Sequence, residues 1–183
     1  MMYHQIPIPP RSEHLWRYTP WHRIHPSKPD VIPSADGIVF KTQDNVSLIE
    51  TSSREPTSSE IARTFLHECE GSSYNISLDN VTEPIHINAR CSGHVSVGSL
   101  NVEVKGRAVL FIHLTGEPEW AGIHITGTVH PNSQLFYGFI NELDSNAKFL
   151  RCEDWNLQRD ASMENATLSL GAFRCKTDIR SSL

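Results

Sequence analysis

A two-residue alternation of apolar and polar side chains runs through the sequence from Tyr74 to its end, and this limits the possible folds more than any other feature. In AGIHITGTVH (121–130), Ile123, Ile125 and Val129 alternate with His124, Thr126, Thr128 and His130. Successive side chains of a strand point to opposite faces, so this pattern describes a strand with one buried and one wet face. LNVEVK places Leu100, Val102 and Val104 on the buried side, and PIHIN does the same with Ile85 and Ile87. AVLFIHL and QLFYGFI are apolar nearly throughout, the pattern expected of strands covered on both faces. Two-thirds of the chain therefore reads as β-structure, which excludes a helical bundle.

Only PTSSEIARTFLHECEG (56–71) has helical character. Thr57 and Glu60 have capping-box spacing. Ile61, Phe65 and Cys69 share a face with Ala62 and Leu66, and Gly71 is placed to end the helix in a left-handed conformation. Before it, DGIVFKTQDNVSLIE carries two short apolar runs, Ile38 to Phe40 and Val46 to Ile49, which suggest a hairpin or a pair of short strands. Residues 1–34 hold seven of the eleven prolines and form an extended arm. The organisation is an arm over 1–34, short strands and a helix over 35–73, and a β core over 74–183.

Small residues recur at polar corners between strands: Ala108, Ser133, Ala147 and Ala166. Their uneven spacing excludes a tight hexapeptide-type repeat. A looser solenoid and a jelly roll both remain compatible with it.

Within the arm, SEHLWRYTPWHRIHP concentrates Trp16, Tyr18 and Trp21. The simplest role for it is a strap in which Trp16 and Tyr18 bury apolar area against the body. A stacking platform for nucleic acid would sit in a positive groove, and the net charge of −5 supplies no basic field. Nucleic acid is therefore not an expected partner, and neither is a membrane, since no stretch approaches the roughly 18 apolar residues of a span. MMYHQIPIPP lacks a signal peptide's n- and h-regions, and the four cysteines form no C-x-x-C pair. The expectation is a cytoplasmic protein with reduced thiols.

No nucleophile elbow, phosphate loop or H-E-x-x-H is present, so the chain is not expected to be an enzyme. Glu153, Asp154, Glu164 and Asp178 have no evident partner to make an acid–base pair. The candidates for metal chemistry are Cys152 and Cys175, which fall in adjacent expected coils, and His124 and His130 on the wet side of one strand. Each has a plain alternative, as a small core residue or a solvated strand face. Cys69 reads as core, and His113 as a group that caps a core hydrogen-bond network.

Three stretches resemble the SufB/SufD family of iron–sulfur cluster assembly proteins. YNISLDNVTEPIHI (74–87), directly after a helix and glycine, is similar to the start of that family's core. LWRYTPWHRI resembles its Trp-[Arg/Lys]-Tyr/Phe-Thr stretch, and LSLGAFRCKTDIRSSL resembles its Leu-Gly-Gly-x-x-x-Arg-x-Asp coil, with Ala172 where a second glycine is common. The resemblance covers roughly 14–183 as a dispersed pattern and implies a mainly β fold, a right-handed parallel β-helix with an extended N-terminal arm and one short helix. It implies a non-catalytic scaffold role in cluster assembly, with a SufB-like protein or a second copy as partner and a SufC-type ATPase as a further one. Any iron–sulfur cluster would be transient and held at a partner interface. The sequence stops at Leu183 in mid-pattern, so the family's C-terminal ligand positions have no counterpart here. The last coil is expected to be covered by another chain. The rivals left by the residues are a β-solenoid acting on polysaccharide and a jelly roll that binds carbohydrate or metal.

Overall fold

The computed structural model describes residues 2–42, 45–51 and 60–183. From Ser72 onward the chain winds as a parallel β-solenoid of about 4 turns. The jelly-roll alternative is thereby excluded, since a jelly roll pairs its strands antiparallel. One sheet stacks β4 (Ser72–Asp79), β6 (Val95–Lys105), β8 (Trp120–Val129), β10 (Lys148–Leu157) and β12 (Arg174–Ser182). The other stacks β5 (Ile85–Arg90), β7 (Arg107–Gly116), β9 (Gln134–Leu143) and β11 (Ser162–Ser169). All of these neighbours are parallel.

Each strand lies 25 to 28 residues after the strand it stacks on, as Val95 beside Trp120 and Trp120 beside Lys148 illustrate. The small-residue corners looked irregular because they mix the two sheets. Ser133 and Ala147 do sit at buried corners, but Ala108 is a core residue of β7 and Ala166 lies exposed in the middle of β11.

The core fills the space between the sheets. Ile76, Val102, Ile125 and Trp155 from one sheet meet Ile87, Ile112 and Phe139 from the other. AVLFIHL and QLFYGFI follow the same rule as their neighbours. Leu110, Ile112, Leu135 and Phe139 are buried, whereas Val109, Phe111 and Phe136 on the outer face are only half-buried. The expectation of cover on both faces is corrected: one face of the sheet is packed, and the other is apolar but open.

The first coil is closed by reversal of the chain. β1 (Asp36–Gly37) lies parallel to β6 along the same edge as β4, while β2 (Val39–Thr42) pairs antiparallel with β5 and β3 (Ile49–Glu50) antiparallel with β4. The two apolar runs are therefore short strands on different sheets and do not form a hairpin; Gln43 and Asp44 lie outside the described residues. Ile38 and Phe40 plug the end against Gly98, where an added Cβ would fall 2.8 Å from each.

The second layer of the core lies on the outside of the β4–β12 sheet. Helix α1 (Trp21–Ile24), a single turn within the arm, and helix α2 (Ile61–Glu68) cover Val97, Trp120, Leu150 and Cys152. Glu60 caps α2 by accepting from the Ala62 and Arg63 N–H groups; the paired role expected of Thr57 lies outside the described residues. The left-handed residue after the helix is Glu70 (φ 45°), not Gly71. Gly71 instead lies against the Val97 carbonyl, 2.1 Å from where a Cβ would stand.

The arm is a strap, but its anchors differ from the expected pair. Trp16 and Trp21 are buried, Tyr18 is 82% exposed, and Tyr3 joins the cluster with its hydroxyl accepting from Trp21 Nε1 at 2.9 Å. Fully burying a large apolar side chain stabilises by about 1.5–3 kcal/mol, so the two tryptophans are strong fasteners. The strap reaches the last coil as well: Lys176 Nζ donates to the Leu15 carbonyl at 2.6 Å and lies 4.3 Å from the centre of the Trp16 ring.

Candidate functional site

The four residues proposed for metal chemistry do not converge. Cys152 and Cys175 lie on adjacent strands, but Cys152 is in register with Asp178, and Cys175 with Phe149. Cys152 faces outward beneath the strap, and Cys175 faces the solenoid interior. Burial pushes the Cys152 thiol up, against the pull of Arg63, so it is kept protonated. His124 on β8 and His130 just past its end lie six residues apart, roughly 20 Å along an extended chain. Each is already paired, His124 with Asp154 at 2.8 Å and His130 with Glu103 at 2.7 Å. Among the described residues no group of three or more His, Cys, Asp or Glu side chains is placed to hold a metal ion. An iron–sulfur cluster needs several converging thiolates, and this chain's cysteines do not fit one.

The histidines have a different use. His94 with Glu119, His113 with Glu142, and the two pairs above each join a side chain of one coil to a carboxylate of an adjacent coil. His113 was expected to serve a core network; it points outward and bonds Glu142 at 2.6 Å. The histidines thus stitch coils together across the wet faces.

Two charged clusters dominate the last two coils. On the outside, Arg63 of α2 is almost fully buried and is the hub for three carboxylates. Its Nε donates to Asp154 at 2.7 Å, and its Nη1 donates to Asp178 at 2.5 Å and to Glu60 at 3.3 Å. Burial alone would raise the Asp154 carboxyl, but the hydrogen bonds from His124 and Arg63 outweigh it and hold it at about 2. Asp178 is lowered in the same way, burial being overcome by Arg63 and Arg180. Asp154 and Asp178 are therefore partnered, as ion-pair members and not as an acid–base couple.

Inside, Arg151 and Glu153 are fully buried and 3.2 Å apart. Glu153 accepts from Tyr137 Oη at 2.9 Å and from Trp155 Nε1 at 2.8 Å, and Arg151 donates to Thr167 Oγ1 at 2.8 Å. Burial raises Glu153, against the attraction of Arg151. The sequence did hold a signal for this cluster. Arg151 and Glu153 share the parity of Phe149 and Trp155, so once the latter point inward the charged pair must follow.

Above this cluster no described strand lies over the last coil. Its inward row is Asn165, Thr167 and Ser169 from β11, with Cys175, Thr177 and Ile179 from β12, all exposed. Among the described residues no strand pairs with the outer edge of either β11 or β12. One coil earlier the same positions hold Tyr137, Phe139 and Asn141 in β9 and Phe149, Arg151 and Glu153 in β10; here Asn165, Thr167 and Cys175 replace the three rings, and Ile179 stands over Glu153. The arrangement offers two free parallel edges and a polar inner rim, which suits strand addition. Such a chain belongs, by fold, to the parallel β-solenoids. No family model, curated protein or solved structure matches it. Among the described residues no helix is long and apolar enough to cross a membrane.

Proposed function

We propose that this chain is a non-catalytic structural component of iron–sulfur cluster assembly, of the SufB/SufD kind, working in the cytoplasm. The observation that carries the reading is the last coil, a parallel β-solenoid turn above a buried polar cluster, whose two outer strand edges pair with no described residue. A related solenoid would add its own coil to those edges and cover Thr167, Thr177 and Ile179. The local resemblances at LWRYTPWHRI, YNISLDNVTEPIHI and LSLGAFRCKTDIRSSL support the same reading. The chain's part is to hold a partner in register. Any cluster would be cargo at that junction, and ATP hydrolysis would belong to a SufC-type subunit. The test is affinity capture with the full chain as bait against a SufB-like protein and a SufC-type ATPase from the same source. A stable complex with the SufB-like chain, lost in Ile179→Lys, is the expected result. No capture of either protein would refute the assignment.

A further inference from the structure

We propose that the outer face of the five-stranded sheet is a self-association surface on which a second copy of this chain packs, strands parallel and coil order reversed. This surface is separate from the last coil, and the proposal does not depend on the assembly role above.

The outward rows of the two sheets differ in kind. On the β4–β12 sheet the outward side chains away from the strap are hydrophilic: Asn75, Asn101, Thr126 and Thr128. On the β5–β11 sheet the same parity gives Val109, Phe111, Phe136, Ile140, Ala166 and Leu168. These six are contiguous, because register sets Val109 beside Phe136, Gly138 between Phe111 and Ala166, and Ile140 beside Leu168. Scattered surface apolar residues are ordinary, but a contiguous patch marks an interaction site. The face is also level. Gly138 leaves room for the Phe111 ring, which comes within 2.5 Å of where a Cβ would stand, and His86 stacks on that ring at 5.2 Å. Leu168 remains 50% exposed.

Charge identifies the occupant. The outward positions of β5 and β7 carry His86, Arg90, Arg107 and His113 and no carboxylate, while those of β9 and β11 carry Glu142 and Glu164 and no cation. A twofold axis parallel to the strands lays β5 over the second copy's β11, and β7 over its β9. Each cation-bearing strand of the coils then meets a carboxylate-bearing one, the apolar middle meets itself, and β2 with Lys41 extends past the edge of the second copy's β11. Turning the copy about the stacking direction would set β5 on β5, cation on cation. A self-complementary patch of this kind is what an isologous dimer requires.

Sedimentation velocity of the full chain tests the proposal. The expected result is a dimer that weakens as salt is raised. Glu164→Arg and Leu168→Lys, both exposed and compatible with folding by circular dichroism, should each raise its Kd roughly tenfold or more. Glu164→Arg combined with His86→Glu should recover part of that loss. A monomer at every concentration would overturn it. So would a dimer indifferent to Glu164→Arg and Leu168→Lys, or one lost only in Ile179→Lys, which would place the contact at the last coil.

Discussion

Arg63 is the residue on which most of the outer packing depends. An arginine with a side chain 1% exposed is tolerable only because three carboxylates and two carbonyls receive it. Arg63→Met keeps the volume but takes from Asp178 its buried partner, leaving it only the more exposed Arg180, and leaves Asp154 with His124 alone. Breaking such a set from one side costs about 3–5 kcal/mol, which urea unfolding will register as a lower midpoint. The same cluster sets an acid limit. Asp154 titrates at about 2 in the folded state, against an ordinary value of 3.8. The stability it contributes is therefore present above 3.8 and drains away as pH falls toward 2. In Asp154→Asn the unfolding free energy should vary less with pH across that interval, measured by urea titrations at stepped pH.

At the scale of the element, a coil works because residues in register on adjacent strands share one space. Trp155 of β10 stands beside Gly127 of β8, with its ring 2.3 Å from where a Cβ of that glycine would be. The missing side chain on one coil houses the largest side chain of the next. Gly127→Val would drive Trp155 off its seat and pull Nε1 away from Glu153. Overpacking costs about 1–3 kcal/mol, and loss of the buried Trp155–Glu153 bond adds to it. A lower melting temperature with altered tryptophan fluorescence is expected, whereas Gly127→Val with Trp155→Leu should regain part of the loss. The His–carboxylate pairs belong to this scale too. They are half-exposed or exposed contacts between coils, each worth little alone.

The whole molecule is asymmetric from end to end. Its first coil is plugged by Ile38 and Phe40, its flank is strapped by Trp16 and Trp21, and among the described residues no strand pairs over its last coil. Removing residues 1–34 would bare Trp120, Leu150 and Cys152 together. The truncated chain should bind a hydrophobic dye and unfold at lower temperature, and thiol titration reads the same event. In the intact protein Cys69, Cys91 and Cys152 are buried and Cys175 is exposed, so one thiol of four should react quickly. A second fast thiol should appear when the strap is gone, and an unchanged count would show that the strap is not what shields Cys152.

The sequence by itself determined the β character, the parity of the strands that alternate clearly and the placing of the strap, because alternation and aromatic surface act locally and are visible residue by residue. It also located α2, whose apolar face spans one continuous run. The choice between jelly roll and solenoid turned on which strands pair. Pairing joins residues 25 to 28 apart, and nothing in a single strand encodes its neighbour's direction. For the same reason the Arg63 hub was invisible: Asp154 and Asp178 lie 91 and 115 residues from it in the chain. The sequence pointed to Tyr18, which the structure leaves exposed, because burial depends on which side of an irregular strap meets the body. That is decided by the surface beneath the strap, and only the folded solenoid provides that surface.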